Sequence, residues 1–330
     1  MTSRFALDLN AVDFVGHDLI RPECVLATRD GYLYCSDWRG GVVRIDPSGE
    51  RHALGCAASR EDTDFMPNGI ALLRDRSLLV ANLGPQGGVW RLHEDGVREP
   101  WLRQIAGEPV PAVNFVWLDA LERVWITVMF RSHPGAGRHH FRADLGDGYL
   151  AVADSVDSPQ SMRIVAEGLY TPNECRISLD GRLLYLNETF SHRVVRYALA
   201  PDGSLGDREV FAQFDEDTLP DGLTLDAEGG LWVTAVAANR IIRILPDGNW
   251  HQVAEDRDAA HMAKIRAAVN NGSLDRTLLY ANPARVLPNV TSLAFGGPDL
   301  RTAYLGSVSG TRIARFRSPV AGVAPAHWSW

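Results

Sequence analysis

Along most of the chain, apolar residues come in short alternating runs, each stopped by a tight-turn string. Segments such as GYLYCSDWRGGVVRIDPSG, SLLVANLGPQGGVWRLHEDG and GGLWVTAVAANRIIRILPDG read strand, turn, strand, short loop. The grammar recurs six times, opening on turns at Gly31, Arg76, Glu122, Gly181, Gly229 and Leu300. Each unit supplies three or four antiparallel strands, too small a sheet to bury both faces alone. The units must therefore pack on one another and close a ring. The pattern predicts an all-β fold, a six-bladed β-propeller, as a single domain over residues 1–330. The apolar stretch Ala11 to Val15 and the tail Arg312 to Phe316 are expected to share the last blade and clasp the ring shut.

Two segments break the grammar. Met129 to Tyr149, with FRSHPGAGRHHF, reads as an irregular loop in the third unit. In the last third, an insertion over about 256–288 carries DAAHMAKIRAAVNNG. There Ala259, Met262, Ile265 and Val269 fall at helical spacing before Asn-Asn-Gly, which predicts an amphipathic helix with a glycine terminus. Decoration of the surface and a lid over the central pocket are both open for it.

Counting back eight residues from each turn gives Glu23, Asn68, Asn114, Asn173, Asp221 and Ser292, all polar. Pro-Asn-Gly and Pro-Asp-Gly are ordinary turn strings, but turn chemistry does not require Glu in one copy and Ser in another. Six equivalent places on the innermost strands converge on the ring axis. Glu23, Asn114, Asn173 and Asp221 would offer two carboxylates and two amide oxygens to one point. Hard oxygen donors suit Ca²⁺ first, with Mg²⁺, Mn²⁺ or Zn²⁺ as alternatives.

Composition narrows the partners. Acidic residues outnumber basic ones 41 to 33, for a formal charge of −8. Phosphate backbones need a basic footprint, so nucleic acid is not the expected partner. No apolar run is long enough for a membrane span, and the N-terminus does not read as a signal peptide. Four cysteines form no CxxC pair, which fits free thiols and a cytoplasmic setting. A small molecule is the expected substrate.

The motifs RPECVLATRDGYLYCSD, VNFVWLDALERVWITV, TPNECRISLDGRLLYLNET and LPDGLTLDAEGGLWVTAV resemble those of the senescence marker protein/gluconolactonase family, which includes regucalcin and sugar lactonases. The resemblance runs from about Phe14 to the last blade. It implies a six-bladed propeller holding one divalent cation by a Glu, two Asn and an Asp, at Glu23, Asn114, Asn173 and Asp221. It further implies a metal-dependent hydrolase of a lactone or related ester, with Asp221 as the catalytic carboxylate, either general base or nucleophile. Asn68, Asn114, Phe115, Phe190 and Ser292 are the expected substrate contacts. Phe65, Met66 and Trp117 are further candidates for an apolar pocket wall. The family's lactonases carry an Arg two residues before the second ligand; this chain has Ala112 there, which favours a less polar lactone or ester. Two other readings stay open: a phosphotriester or fluorophosphate hydrolase, and a non-catalytic calcium-binding propeller. His139, His140 and His192 lack zinc-site spacing. Cys24 and Cys175 read as core fillers, and Arg39, Arg193 and Arg240 as blade-edge ion pairs.

Overall fold

The turn residues set the blades. All six have positive φ, from 55° at Leu300 to 89° at Gly31. Gly adopts that conformation freely, whereas Arg76, Glu122 and Leu300 hold it at a cost of about 1 kcal/mol each. Turn carboxylates help fix it: Asp119 Oδ1, for example, accepts from the Leu121 and Arg123 amides at 2.8 and 3.0 Å.

The computed structural model describes residues 5–132, 141–281 and 283–330. Six four-stranded antiparallel sheets form the blades of a propeller. Their innermost strands are Val25–Ala27, Pro67–Leu72, Val113–Leu118, Pro172–Ile177, Leu219–Leu225 and Val290–Gly296. Second strands such as Val124–Val128 and Leu231–Val236 are buried throughout, because a neighbouring blade covers each face. Trp125 and Trp232 are wholly buried at equivalent places. Each gives its indole N–H to a turn carboxylate, Asp119 at 2.9 Å and Asp226 at 2.8 Å.

The sixth blade closes the ring as expected. Asp13–Val15 pairs with Ile313–Arg317, placing Phe14 opposite Ala314. Asp13 and Arg315 form an ion pair at 2.6 Å across the seam, and Phe5, Leu7, Leu9, Val12 and Phe14 pack on the core around Phe295 and Phe316. Deleting residues 1–15 is expected to remove about 3 kcal/mol or more of stability, seen as a lower thermal midpoint. An unchanged midpoint would mean that the clasp is ornamental.

The insertion forms two helices, α1 (Ala259–Asn270) and α2 (Arg276–Tyr280). Asp258 caps α1 through the His261 amide at 2.7 Å, and Gly272 at φ 69° follows its end. The buried stripe is His261, Met262, Ile265 and Ala268, so the apolar face is rotated from the predicted one and leaves Ala259 exposed. Met262, Ile265 and Leu279 share one apolar cluster with Trp38, Met66, Ala112, Phe190, Leu219 and Val308, drawn from all six blades. Asp256 pins the base of the insertion by accepting from the Val286 and Leu287 amides at 2.6 and 2.9 Å.

Candidate active site

In five blades the ladder of the innermost strand slips at the polar register residue. The shifts fall at Pro67/Ile70, Val113/Phe115, Pro172/Cys175, Pro220/Leu223 and Val290/Leu293, which bracket Asn68, Asn114, Asn173, Asp221 and Ser292. A bulge of this kind re-aims a side chain out of the sheet's alternation. In blade 1 the strand begins only at Val25, and Glu23 sits on the turn before it, its amide bonded to Arg21 O at 2.8 Å.

The bulges are held tightly. Asn187 Nδ2 donates to the carbonyls of Asp221 and Gly222 at 2.9 and 3.0 Å, while Thr234 Oγ1 accepts from the Gly222 amide at 3.0 Å. A Cβ on Gly222 would lie 2.2 Å from Thr291 O, so only glycine fits between these strands. Gly222→Ala is expected to cost about 2 kcal/mol or more and to displace Asp221. A denaturant midpoint within error of wild type would contradict that packing.

Glu23, Asn114, Asn173 and Asp221 line one cavity of about 50 Å³. Asn68 lies behind them: its Nδ2 donates to Asn114 Oδ1 at 2.9 Å, Asn114 O at 2.7 Å and Glu23 Oε1 at 3.2 Å. Its Oδ1 accepts from Arg21 Nη1 at 2.7 Å. Asn68 therefore locks two of the lining side chains in place. Ser292 Oγ donates to Glu23 O at 2.7 Å and accepts from the Val25 amide at 3.2 Å, so this short side chain braces the Glu23 turn. Phe190 lines the cavity, but Phe115 does not. One place beyond Asn114, Phe115 packs between blades near Trp125 and Leu184, with Arg176 5.0 Å over its ring. Of the expected substrate contacts, the geometry thus brings Asn114 and Phe190 to the cavity and sets Asn68, Ser292 and Phe115 outside it. Phe65 packs edge-on to Trp90, Met66 joins the apolar cluster under the insertion, and Trp117 faces a different cavity near the C-terminal tail.

Burial pushes the Glu23 carboxyl above its ordinary range. Asp221 is raised well above, by burial first and then by the neighbouring Glu23 and Glu174 carboxylates. Arg21 opposes both shifts, yet its Nη atoms go to Asn68 Oδ1 and to Tyr280 Oη at 3.2 Å, and to neither carboxylate. Glu174 is itself pushed to about 7, burial outweighing its 2.9 Å pair with Arg176. Two buried carboxylates without a guanidinium fork, beside two amides, form a donor set that fits a hard divalent cation. Asn114 Nδ2 is buried without a hydrogen bond, leaving one donor at the cavity wall.

The model of the SMP-30/Gluconolactonase/LRE-like region matches residues 21–256. The chain belongs to this family. Among its relatives, 6-deoxy-6-sulfogluconolactonase of Pseudomonas putida is 26% identical over 308 residues, 88% of this chain and 84% of that protein. Pentonolactonase XacC of Haloferax volcanii is 27% identical over 281 residues, 84% of this chain and 78% of that one. The crystal structure of a calcium-binding protein, regucalcin from Agrobacterium tumefaciens, superposes with a TM-score of 0.68 at 17% identity, over 95% of this chain and 98% of that one.

This family member carries cavity residues that sequence reasoning missed: Arg21, Thr171, Thr189, Arg276 and Tyr280. Arg21 was in sight as the Arg of RPE, two before Glu23; Arg276 and Tyr280 lie beyond the stretch of the insertion that has helical periodicity. Ala112 is buried and does not line the cavity, while guanidiniums enter it from these other elements. The remaining expectations fall in place locally. Arg39, Arg193 and Arg240 pair with Asp37, Glu188 and Glu255 at 2.8, 2.7 and 2.6 Å. Cys24 and Cys175 are free and buried, and burial raises both thiols, Cys175 to about 12. His192 Nδ1 is bonded to Thr218 O at 2.9 Å, and His139 and His140 lie outside the described residues. Asp46, Glu50 and His52 bring ligand atoms close together, but Asp46 Oδ1 already closes its own turn on Ser48 and Glu50. Among the described residues no helix is long and apolar enough to cross a membrane.

Proposed function

We propose that this protein is a lactonase that depends on a divalent cation, Ca²⁺ first, held by Glu23, Asn114, Asn173 and Asp221. The observation that carries the reading is the convergence of two buried carboxylates with two amides on one cavity. A scaffold protein has no use for such repulsion. The sugar-lactonase relatives support a hydrolase of the same bond.

When bound, the cation would supply Lewis acidity at the scissile carbonyl and neutralise the two carboxylates. The chain's own residues do the rest. Asp221 takes the proton from the attacking water as its oxygen adds to the carbonyl carbon. Asn114 Nδ2 donates toward the oxygen on which negative charge builds. The ring C–O bond then breaks, and Asp221 returns the proton to the leaving alkoxide, giving a hydroxy acid. Asn68 keeps Glu23 and Asn114 aligned throughout. With so little free volume and Arg276, Leu279 and Tyr280 forming part of the wall, α2 acts as a lid that moves aside to admit substrate.

A test follows proton release from a panel of lactones, an aryl ester and a phosphotriester, before and after chelation and with each cation restored singly. Lactone hydrolysis lost on chelation and regained with Ca²⁺ is the expected result. Hydrolysis at the native rate by the stripped protein would overturn the mechanism.

A further inference from the structure

Three guanidinium groups gather round one indole beside the cavity. Arg21, Arg60 and Arg276 stand 4.3, 4.7 and 4.9 Å from the Trp38 ring centroid. They come from three separate elements: the turn before blade 1, the short segment Arg60–Asp62 between blades 1 and 2, and the start of α2. Tyr280, one turn along α2, takes a hydrogen bond from Arg21 Nη2 at 3.2 Å and packs 6.0 Å from Trp38. Arg21 and Arg276 line the same cavity as Glu23 and Asp221. Burial first, and then the charges of Arg21 and Arg60, weaken the hold of Arg276 on its proton, against the opposing pull of Tyr280. A cation bound by Glu23 and Asp221 cancels their charge, which leaves this end of the site positive. Face contact with one Trp offsets part of the repulsion among three guanidiniums, and an anion offsets more.

We propose that the substrate is a lactone bearing an oxyanion substituent, a carboxylate, sulfonate or phosphate, which docks on Arg21 and Arg276 while its ring carbonyl faces Asp221. This rests on the lactonase reading above and deepens it. Planar forks match two oxygens of such a group, and Arg276 rides on the insertion, so the contact also draws α2 down over bound substrate. The missing Arg at Ala112 is then no sign of an apolar substrate. Arg21 and Arg276 supply the recognition that an Arg at 112 would otherwise give.

The test compares a neutral lactone with lactones of the same ring carrying a carboxylate, a sulfonate or a phosphate, using the cation-loaded protein. The expected result is a kcat/KM preference for a charged ring of about 10- to 100-fold. In Arg276→Met that preference collapses toward parity, and in Arg276→Lys part of it returns; the three charged rings show which oxyanion fits best. No preference in wild type, or one that survives Arg276→Met, overturns the proposal while leaving lactone hydrolysis standing. Inorganic sulfate gives a readout free of turnover. Should no lactone be cleaved at all, the lactonase reading falls, yet sulfate that raises the melting temperature of wild type and not of Arg276→Met still upholds an anion site. Sulfate acting equally on both, or on neither, refutes it.

Discussion

Replacing Asp221 by Asn is expected to lower kcat/KM for the accepted lactone by about a thousandfold or more, while raising the stability of the cation-free protein. The two effects have one cause. Asp221 is buried against the Glu23 and Glu174 carboxylates, so its ionised form opposes folding until a cation offsets it. Asn keeps the shape and the bond from Asn187 to the residue's carbonyl, which is a backbone contact. It cannot accept a proton from water. Lactone kinetics and thermal melts in chelator at about pH 8, well above the ordinary carboxylate range, would be run together. Lost activity with lost stability would mean a merely structural Asp221.

Stripping the cation is the second large effect. At a free concentration of 100 to 1,000 times its dissociation constant, a ligand that binds only the folded chain adds about 3 to 4 kcal/mol, and chelation removes it. The loss should grow with pH. Glu23, Glu174 and Asp221 all have folded-state pKa values above their unfolded ones. In that case the folded chain binds more protons than the unfolded chain, and stability falls as pH rises. The stripped protein is therefore most stable near the ordinary carboxylate range and weakens through about 7, where Glu174 ionises. The loaded protein loses less stability with rising pH, since the cation stands in for the protons of Glu23 and Asp221 and leaves Glu174, which lies outside the cavity, to titrate in both forms. Melting curves from pH 5 to about 8 with and without chelator measure this directly. Parallel curves would contradict it.

Much of this was legible in the sequence because six turns repeat one backbone conformation. The left-handed residues at Gly31, Arg76, Glu122, Gly181, Gly229 and Leu300 fix a register, and a fixed register places Glu23, Asn114, Asn173 and Asp221 at the axis. Blade number followed from the same count, and the clasp strand from the apolar stretch Ala11 to Val15 set against the tail Arg312 to Phe316. What the register could not give is what each side chain meets across the axis. Asn68 and Ser292 share it, yet one is consumed by Glu23, Asn114 and Arg21 and the other by a backbone carbonyl. Phe115 lies outside the cavity because a bulge re-aims the single residue within it and leaves its neighbour to pack between blades. Arg276 was invisible for a different reason. It reaches the cavity from an element outside the repeat, and only the fold of the insertion brings it beside Arg21 and Trp38.

The most direct measurement is equilibrium dialysis of the purified protein against Ca²⁺, with Glu23→Gln and Asp221→Asn dialysed alongside. The donor set predicts one ion bound per chain in wild type and an affinity lower by about two orders of magnitude or more in each variant, since ligand charge governs calcium affinity. No bound ion in wild type, or equal binding by all three proteins, would contradict a cation centre built from these side chains.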